Sequence, residues 1–538
     1  MVGENRSGKS NLLHAVRLVL DSTLSAEQRR LKPEDFWEGL STDAEDAMSA
    51  GAMVEVSLDI TDFGDESGVL TALGDALIIG EPLTARLTYR WEPDPLVIDE
   101  VVYRARLYGG SEERVISAVE VRDRLITVFM HALRDVENDV RSWRRSPLRD
   151  LLESASRDVS PSDLESVRDA MAAANTALND LGPLVTLSQN IGTSTTDAVG
   201  ANQGLETTLA AAPPDPRRLI RSMQLFVDGI AQRQLTSTSL GALNVLYFSL
   251  LELQLKQRLA TKEAAHVLMA VEEPEAHLHP HLQRLLFKHL QKDDSTRSTI
   301  VTTHSPHIAS VTSARNLVML RTTPEGTVAR AASTADLAFE EWEDIDRYLD
   351  ATRSELVFAR RVLLVEGVAE QLIVPSLARF SGVDLDEVGI SVCAIGGTHF
   401  AAYVKLCTAL DIPWAVLTDG DPTIKVTGDR RKEILVEQAG ADEGAIFVGG
   451  TTFEHDLIAH SVENRQAIIS VIADLLGTEA ETDRATVAGW EAGSPSKDEF
   501  ISMIKTVGGK GRFAQRLAAT NLAPSAQVAA AIAYLLEQ

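Results

Sequence analysis

The chain has 538 residues, 44% of them hydrophobic and 24% charged, an ordinary balance for a soluble globular protein with room for about three domains. Its formal charge of −27 at pH 7 excludes a protein that coats nucleic acid through its overall field, so any DNA contact must be local, through a basic patch or a bound cation. No apolar run approaches the ~20 residues that span a bilayer, no charged leader opens the chain, and Cys393 and Cys407 lie in apolar surroundings as buried small hydrophobes do. A cytoplasmic protein without membrane contact is expected.

The chain opens on Gly3-Glu4-Asn5-Arg6-Ser7-Gly8-Lys9-Ser10, a complete G-x-x-x-x-G-K-S phosphate loop. Its glycines let backbone N–H groups wrap phosphates, Lys9 meets the β/γ charge, and the Ser10 hydroxyl reaches Mg²⁺. Leu12, Leu13, Val16, Val19 and Leu20 follow at helical spacing, which turns the positive end of a helix toward the phosphates. Gly3, Asn5, Gly8, Lys9 and Ser10 are therefore the candidate ATP contacts. Only Met1 and Val2 precede the loop, so the buried strand that normally feeds it is expected to be missing.

Residues 52–108 alternate apolar and polar, as in Val54 to Ile60, Leu83 to Tyr89 and Val97 to Leu107, and predict an antiparallel sheet. From Ala118 through Ala210 the pattern reads as helical, an inserted arm at about 140–215 for dimerisation that ends on a Pro-rich break near Ala212. Ser239 and Gly241 then open a long apolar helix, a second anion-binding start. Val267 to Val271 is a buried strand delivering Glu272, to orient Mg²⁺, and Glu273, to polarise an attacking water. A further strand ends on Thr303-His304-Ser305-Pro306, placing His304 where a γ-phosphate would be sensed.

A charged linker is expected at about 336–358. Arg361 to Val365 is a short apolar strand ending on Glu366-Gly367, and Val416 to Thr418 is another ending on Asp419-Gly420-Asp421. Parallel strands present ligands at their carboxyl ends, so the two would gather Glu366, Asp419 and Asp421 on one rim. Carboxylates that close repel one another unless a hard cation, Mg²⁺ or Mn²⁺, sits among them. Glu370 lies one helical turn beyond Glu366. The basic runs Arg141 to Arg149 and Arg430-Arg431-Lys432 are candidate DNA contacts, or solvated helix faces.

Glu-Gly followed by Asp-x-Asp resembles the Toprim fold of topoisomerases, primases and a set of nucleases. The whole order, including Glu272 to Pro280 and Thr302 to Pro306, resembles the overcoming-lysogenization-defect (OLD) nucleases, among them the nuclease subunit of the Gabija antiphage system. His131 to Asp135 resembles that family's short Arg-Asp segment. The resemblance implies an α/β chain: an ABC-type ATPase domain at 1–345 with a helical dimerisation insert, then a Toprim domain at 358–538. It implies an ATP-regulated, Mg²⁺- or Mn²⁺-dependent DNA endonuclease or nickase with Ser239 and Gly241 acting across a homodimer or homotetramer. It also implies Glu454 as a further metal ligand, Lys510 stabilising charge on the scissile phosphate, and a UvrD-like helicase partner. A DNA-clamping repair ATPase of the RecF kind shares the first half but has no use for the acidic rim. A topoisomerase or primase shares the rim, and a sensor or scaffold role for the nucleotide half is a further alternative.

Overall fold

The computed structural model describes the chain apart from residues 5, 41–43, 64–66, 79, 97–100, 112–123, 131–145, 200–208, 210–214, 228–232, 235–238, 277, 293–295, 325, 350–352, 423–425 and 479. His131 to Asp135, Arg141 to Arg145 and the Pro-rich break near Ala212 lie outside the described residues. The strand expected to be missing is present as a two-residue strand, β1 (Val2–Gly3), paired in parallel with Met319 and Leu320. Met1 extends it by accepting from Thr303 N at 3.1 Å and donating its amino group to the Val301 carbonyl at 2.6 Å. Helix α1 (Lys9–Leu20) follows, burying Leu13, Val16, Val19 and Leu20 on one face.

β2 (Val54–Ile60), β3 (Leu77–Ile78), β4 (Thr84–Pro93) and β5 (Tyr103–Gly109) form the expected antiparallel sheet around β4. Period two decides its faces: Val54, Val56, Leu58 and Ile60 pack toward a core with Leu87, Tyr89 and Trp91, while Glu55, Ser57 and Asp59 face water. The expected run of helix from Ala118 is interrupted by strand β6 (Leu125–Met130). Leu-Ile-Thr-Val-Phe-Met is apolar and β-branched, and its pairing with a neighbouring strand overrides the helical reading of its surroundings. Helices Pro147–Asp158, Pro161–Asn179 and Gly182–Val199 then form the arm, the first two capped by Ser146 and Ser160.

Helix α2 (Leu240–Ala260) leads into β7 (His266–Glu272), which lies between β6 and β8 (Arg297–Thr302) in an all-parallel sheet. β9 (Val318–Thr323) joins β1 to β10 (Gly326–Ala331). A cavity of about 750 Å³, lined by Val2, Ile300, Val301 and Val318 among others, lies beside β1 between β8 and β9.

The charged segment at 336–358 is not a loose linker. It carries helix Phe339–Tyr348, and Ile345, Tyr348, Leu349, Leu356 and Val357 are buried in a core that also holds Val2, Met319, Leu364 and Val404. Glu340, Glu343 and Asp344 are exposed, which is why composition alone suggests a solvated segment, while Glu341 pairs with Lys405 and Asp346 accepts from Ala314 N. The carboxyl-terminal half is a parallel sheet in the order β12 (Ile390–Ala394), β11 (Arg361–Val365), β13 (Trp414–Thr418), β14 (Ile446–Val448). β11 and β13 are buried almost throughout, as strands covered on both faces must be. Among the described residues no helix is long and apolar enough to cross a membrane.

Candidate functional site

Register places the acids. Val365 pairs with Leu417, so β11 and β13 end together and Glu366 comes beside Thr418. Glu366 Oε1 accepts from Thr418 Oγ1 at 2.5 Å and from Asp419 N at 2.9 Å. Asp419 Oδ1 accepts from the backbone N–H of Phe453, at the start of the helix Phe453–His460, at 2.8 Å. Between the two aspartates only glycine fits, because a Cβ on Gly420 would run into the Gly449 and Gly450 carbonyl oxygens. Asp421 has φ of 42°, a left-handed conformation that costs a non-glycine residue ~1–3 kcal/mol and that clusters at functional sites. Glu366, Asp419 and Asp421 each present an oxygen, all within 4.8 Å of one another. Three carboxylate oxygens are the donor set a hard divalent cation takes.

Two more acids stand behind this group. Glu370 is in the first turn of α3 (Val368–Phe380) and 5% exposed, and Glu454 is fully buried. Burial, then the nearby Glu454 and Glu366, push the Glu370 carboxyl up to about 7. Burial and the repulsion of Glu366, Glu370 and Glu454 push Asp419 up to about 8. Lys510 lies 2.9 Å from Glu454; burial would lower its ammonium, but that carboxylate more than reverses the effect and holds it above its usual value. Acids whose carboxyls are pushed up first by burial and then by their mutual repulsion fit a site built for a cation.

A pH dependence follows. Asp419 and Glu370 retain protons in the fold that the unfolded chain has lost by neutral pH. Their contribution to metal-free stability is complete below the ordinary carboxyl range near pH 4 and is lost as pH rises through about 7 and 8. In EDTA, the melting temperature of the wild type relative to Asp419→Asn is expected to fall between pH 5 and 8.5, and Mg²⁺ is expected to offset most of that fall. A pH-independent difference would refute it.

Two cations at this rim were not foreseen. Arg431, on α4 (Gly428–Ala439), is 6% exposed and pairs with Asp421 and Glu366 rather than facing solvent as part of a DNA-binding patch. Its neighbours Arg430 and Lys432 pair instead with Glu433 and Glu443. Lys497 reaches Asp421 Oδ1 at 3.3 Å.

In the amino-terminal half, Lys9 Nζ donates to the Gly3 and Glu4 carbonyls at 3.0 and 2.8 Å, which aims the ammonium into the loop. The Ser10 hydroxyl hydrogen-bonds the Glu272 carboxylate, uniting the two groups expected at one Mg²⁺. Glu273 has φ of 45°, and its carboxylate stands 3.6 Å from His304 Nε2. Burial, with Lys9 nearby, lowers the His304 imidazole from its usual value. Glu275, not among the sequence candidates, accepts from Thr303 Oγ1 at 2.7 Å and His304 N at 2.9 Å, fastening the His304 turn to the acidic strand. Ser239 caps α2 through Ala242 N at 3.4 Å, with Gly241 in the first turn, and Asn5 lies outside the described residues.

The loop and the acidic rim are connected. Arg360, one residue before β11, pairs with Glu4 of the phosphate loop (Nε–Oε1 2.5 Å), beside a cavity of about 780 Å³ that also borders His304 and Arg321.

Residues 357–421 match the overcoming lysogenization defect protein-like TOPRIM domain family, and residues 152–309 match an AAA ATPase domain family. The OLD nuclease of Thermus scotoductus is 26% identical over 439 residues, covering 78% of this chain and 77% of its own. The endonuclease GajA of Bacillus cereus is 26% identical over 155 residues, 29% of this chain and 26% of its own. The solved carboxyl-terminal region of the Burkholderia pseudomallei OLD protein is 33% identical, covering 34% of this chain and 98% of its own, with a TM-score of 0.31. The chain belongs to the overcoming-lysogenization-defect family of nucleases, with an ATPase domain followed by a Toprim domain.

Proposed function

We propose that the chain is an ATP-regulated, divalent-cation-dependent DNA endonuclease or nickase that acts in the cytoplasm in antiphage defence. The observation that carries this is the convergence of Glu366, Asp419 and Asp421 within 4.8 Å on one sheet rim. Those three would hold one Mg²⁺ or Mn²⁺, and Glu370 and Glu454 a second. Cations so held would orient water and neutralise charge on a phosphodiester. Lys510 would stabilise the charge that develops on the scissile phosphate.

In the ATPase domain, proposed at 1–345, Gly3, Asn5, Gly8, Lys9 and Ser10 would bind ATP and Glu272 its Mg²⁺. Glu273 would take a proton from water while His304 contacts the γ-phosphate. Ser239 and Gly241 would complete the site across a homodimer or homotetramer built on the helical arm. The Glu4–Arg360 pair supports a route from this site to the nuclease domain, proposed at 358–538. The likeness to the endonuclease GajA supports the cutting reading; the defence role and a UvrD-like helicase partner are what the family resemblance of the motifs implies.

Supercoiled plasmid incubated in EDTA, Mg²⁺ or Mn²⁺, each with and without ATP, tests the reading. Nicked or linear product is expected only with a cation, at a rate that ATP changes. Binding without cutting in every cation would favour a RecF-like clamp, and cutting that ignores ATP would make the nucleotide half a scaffold.

A further inference from the structure

An arginine joins the acidic rim from beneath. Arg431 Nη2 donates to Asp421 Oδ2 at 3.0 Å and to the Asp419 carbonyl at 2.8 Å. Its Nη1 stands 3.4 Å from Glu366 Oε1, and its buried Nε has no hydrogen-bond partner. A single cation thus touches acids delivered by two neighbouring strands, β11 and β13. Lys497 meets the other oxygen of Asp421 from a more open side, where its side chain is 26% exposed against 6% for Arg431.

The helix that carries Arg431 is fixed to the same turn that carries the aspartates. Gly428 N donates to the Gly420 carbonyl at 2.8 Å, and a Cβ on Gly428 would strike the Asp419 carbonyl oxygen. The backbone at the start of the helix from which Arg431 projects is therefore held against the Asp419-Gly420-Asp421 turn. Arginine suits the place: its planar fork reaches two acids at once, whereas a lysine would meet one.

We propose that Arg431 is a positioning residue, a permanent internal cation that keeps Glu366 and Asp421 converged before any divalent ion reaches them. This rests on the reading of the rim as a cation site. Like charges this close repel, and removing the buried partner of an acid leaves its charge uncompensated. The rim would then open in the metal-free chain and close again only when a divalent cation takes over the charge.

The test uses the full chain, melted in EDTA and in Mg²⁺ at pH 8, as wild type, Arg431→Gln, Glu366→Gln and the double variant. Arg431→Gln is expected to lower the EDTA melting temperature by roughly 5–10 °C, and Mg²⁺ is expected to raise it more than it raises the wild type. Adding Glu366→Gln is expected to bring the double variant back to within ~2 °C of Glu366→Gln alone, because one of the repelling charges is gone. If Arg431→Gln yields no soluble protein, recovery of soluble double variant makes the same comparison. A double variant that melts as low as Arg431→Gln, or stays insoluble, overturns the proposal and leaves Arg431 as packing; so does Arg431→Gln melting like the wild type. Failure of the cation reading is a separate result: wild type that gives no Mn²⁺ binding by electron paramagnetic resonance titration, whatever the EDTA melts show.

Discussion

Glu366→Gln is expected to lower cation-dependent plasmid nicking by about 10³-fold or more. A bound cation supplies several kcal/mol of charge stabilisation, and ~4 kcal/mol corresponds to ~10³-fold in rate. Glutamine keeps an oxygen to accept from Thr418 Oγ1 and Asp419 N, the bonds that tie β11 to β13, so the local fold should persist. It also removes one of the charges that push Asp419 upward, which favours the metal-free fold. The pair of measurements is nicking rate and melting temperature. A large loss of rate without a lowered melt supports direct cation binding by Glu366, whereas nicking within about threefold of wild type would exclude it.

Glu273→Gln is expected to slow ATP turnover by about 10²–10⁴-fold, the range typical of removing a general base, while leaving ATP binding intact. Lys9, Ser10 and Glu272 are untouched by the change. Glu273 is held in a left-handed backbone conformation 3.6 Å from His304. That conformation is hard to explain by packing, since the side chain is 41% exposed. Phosphate release at saturating ATP, together with binding of a fluorescent ATP analogue, separates the two effects. Turnover near the wild-type rate would assign the water-activating role to another group.

The acids of the rim were legible because each ends a short apolar run, and parallel strands deliver their carboxyl ends to one side whatever the rest of the chain does. The phosphate loop was legible because its backbone chemistry is local. Arg431 and Lys497 were not, since they reach Asp421 from 10 and 76 residues away and nothing in either neighbourhood marks the approach. The run Arg430-Arg431-Lys432 looked uniform, yet helical geometry turns its middle member inward and its neighbours to solvent. β6 was missed for a related reason: a six-residue run with five apolar members suits a buried strand or one side of a helix equally, and the partner strand β7 decides. The segment at 336–358 misled through its many charges, although Ile345 and Tyr348 among them are buried.

That last segment has a mechanical meaning. Val2 beside the phosphate loop, Ile345 and Tyr348 in the middle, and Leu364 and Val404 of the nuclease half all belong to one continuous apolar mass. Two halves on a tether would tumble independently, and whatever happened at one would be forgotten before it reached the other. Fused as they are, the halves share one interior, and the Glu4–Arg360 pair stands at the opposite end of the strand that delivers Glu366.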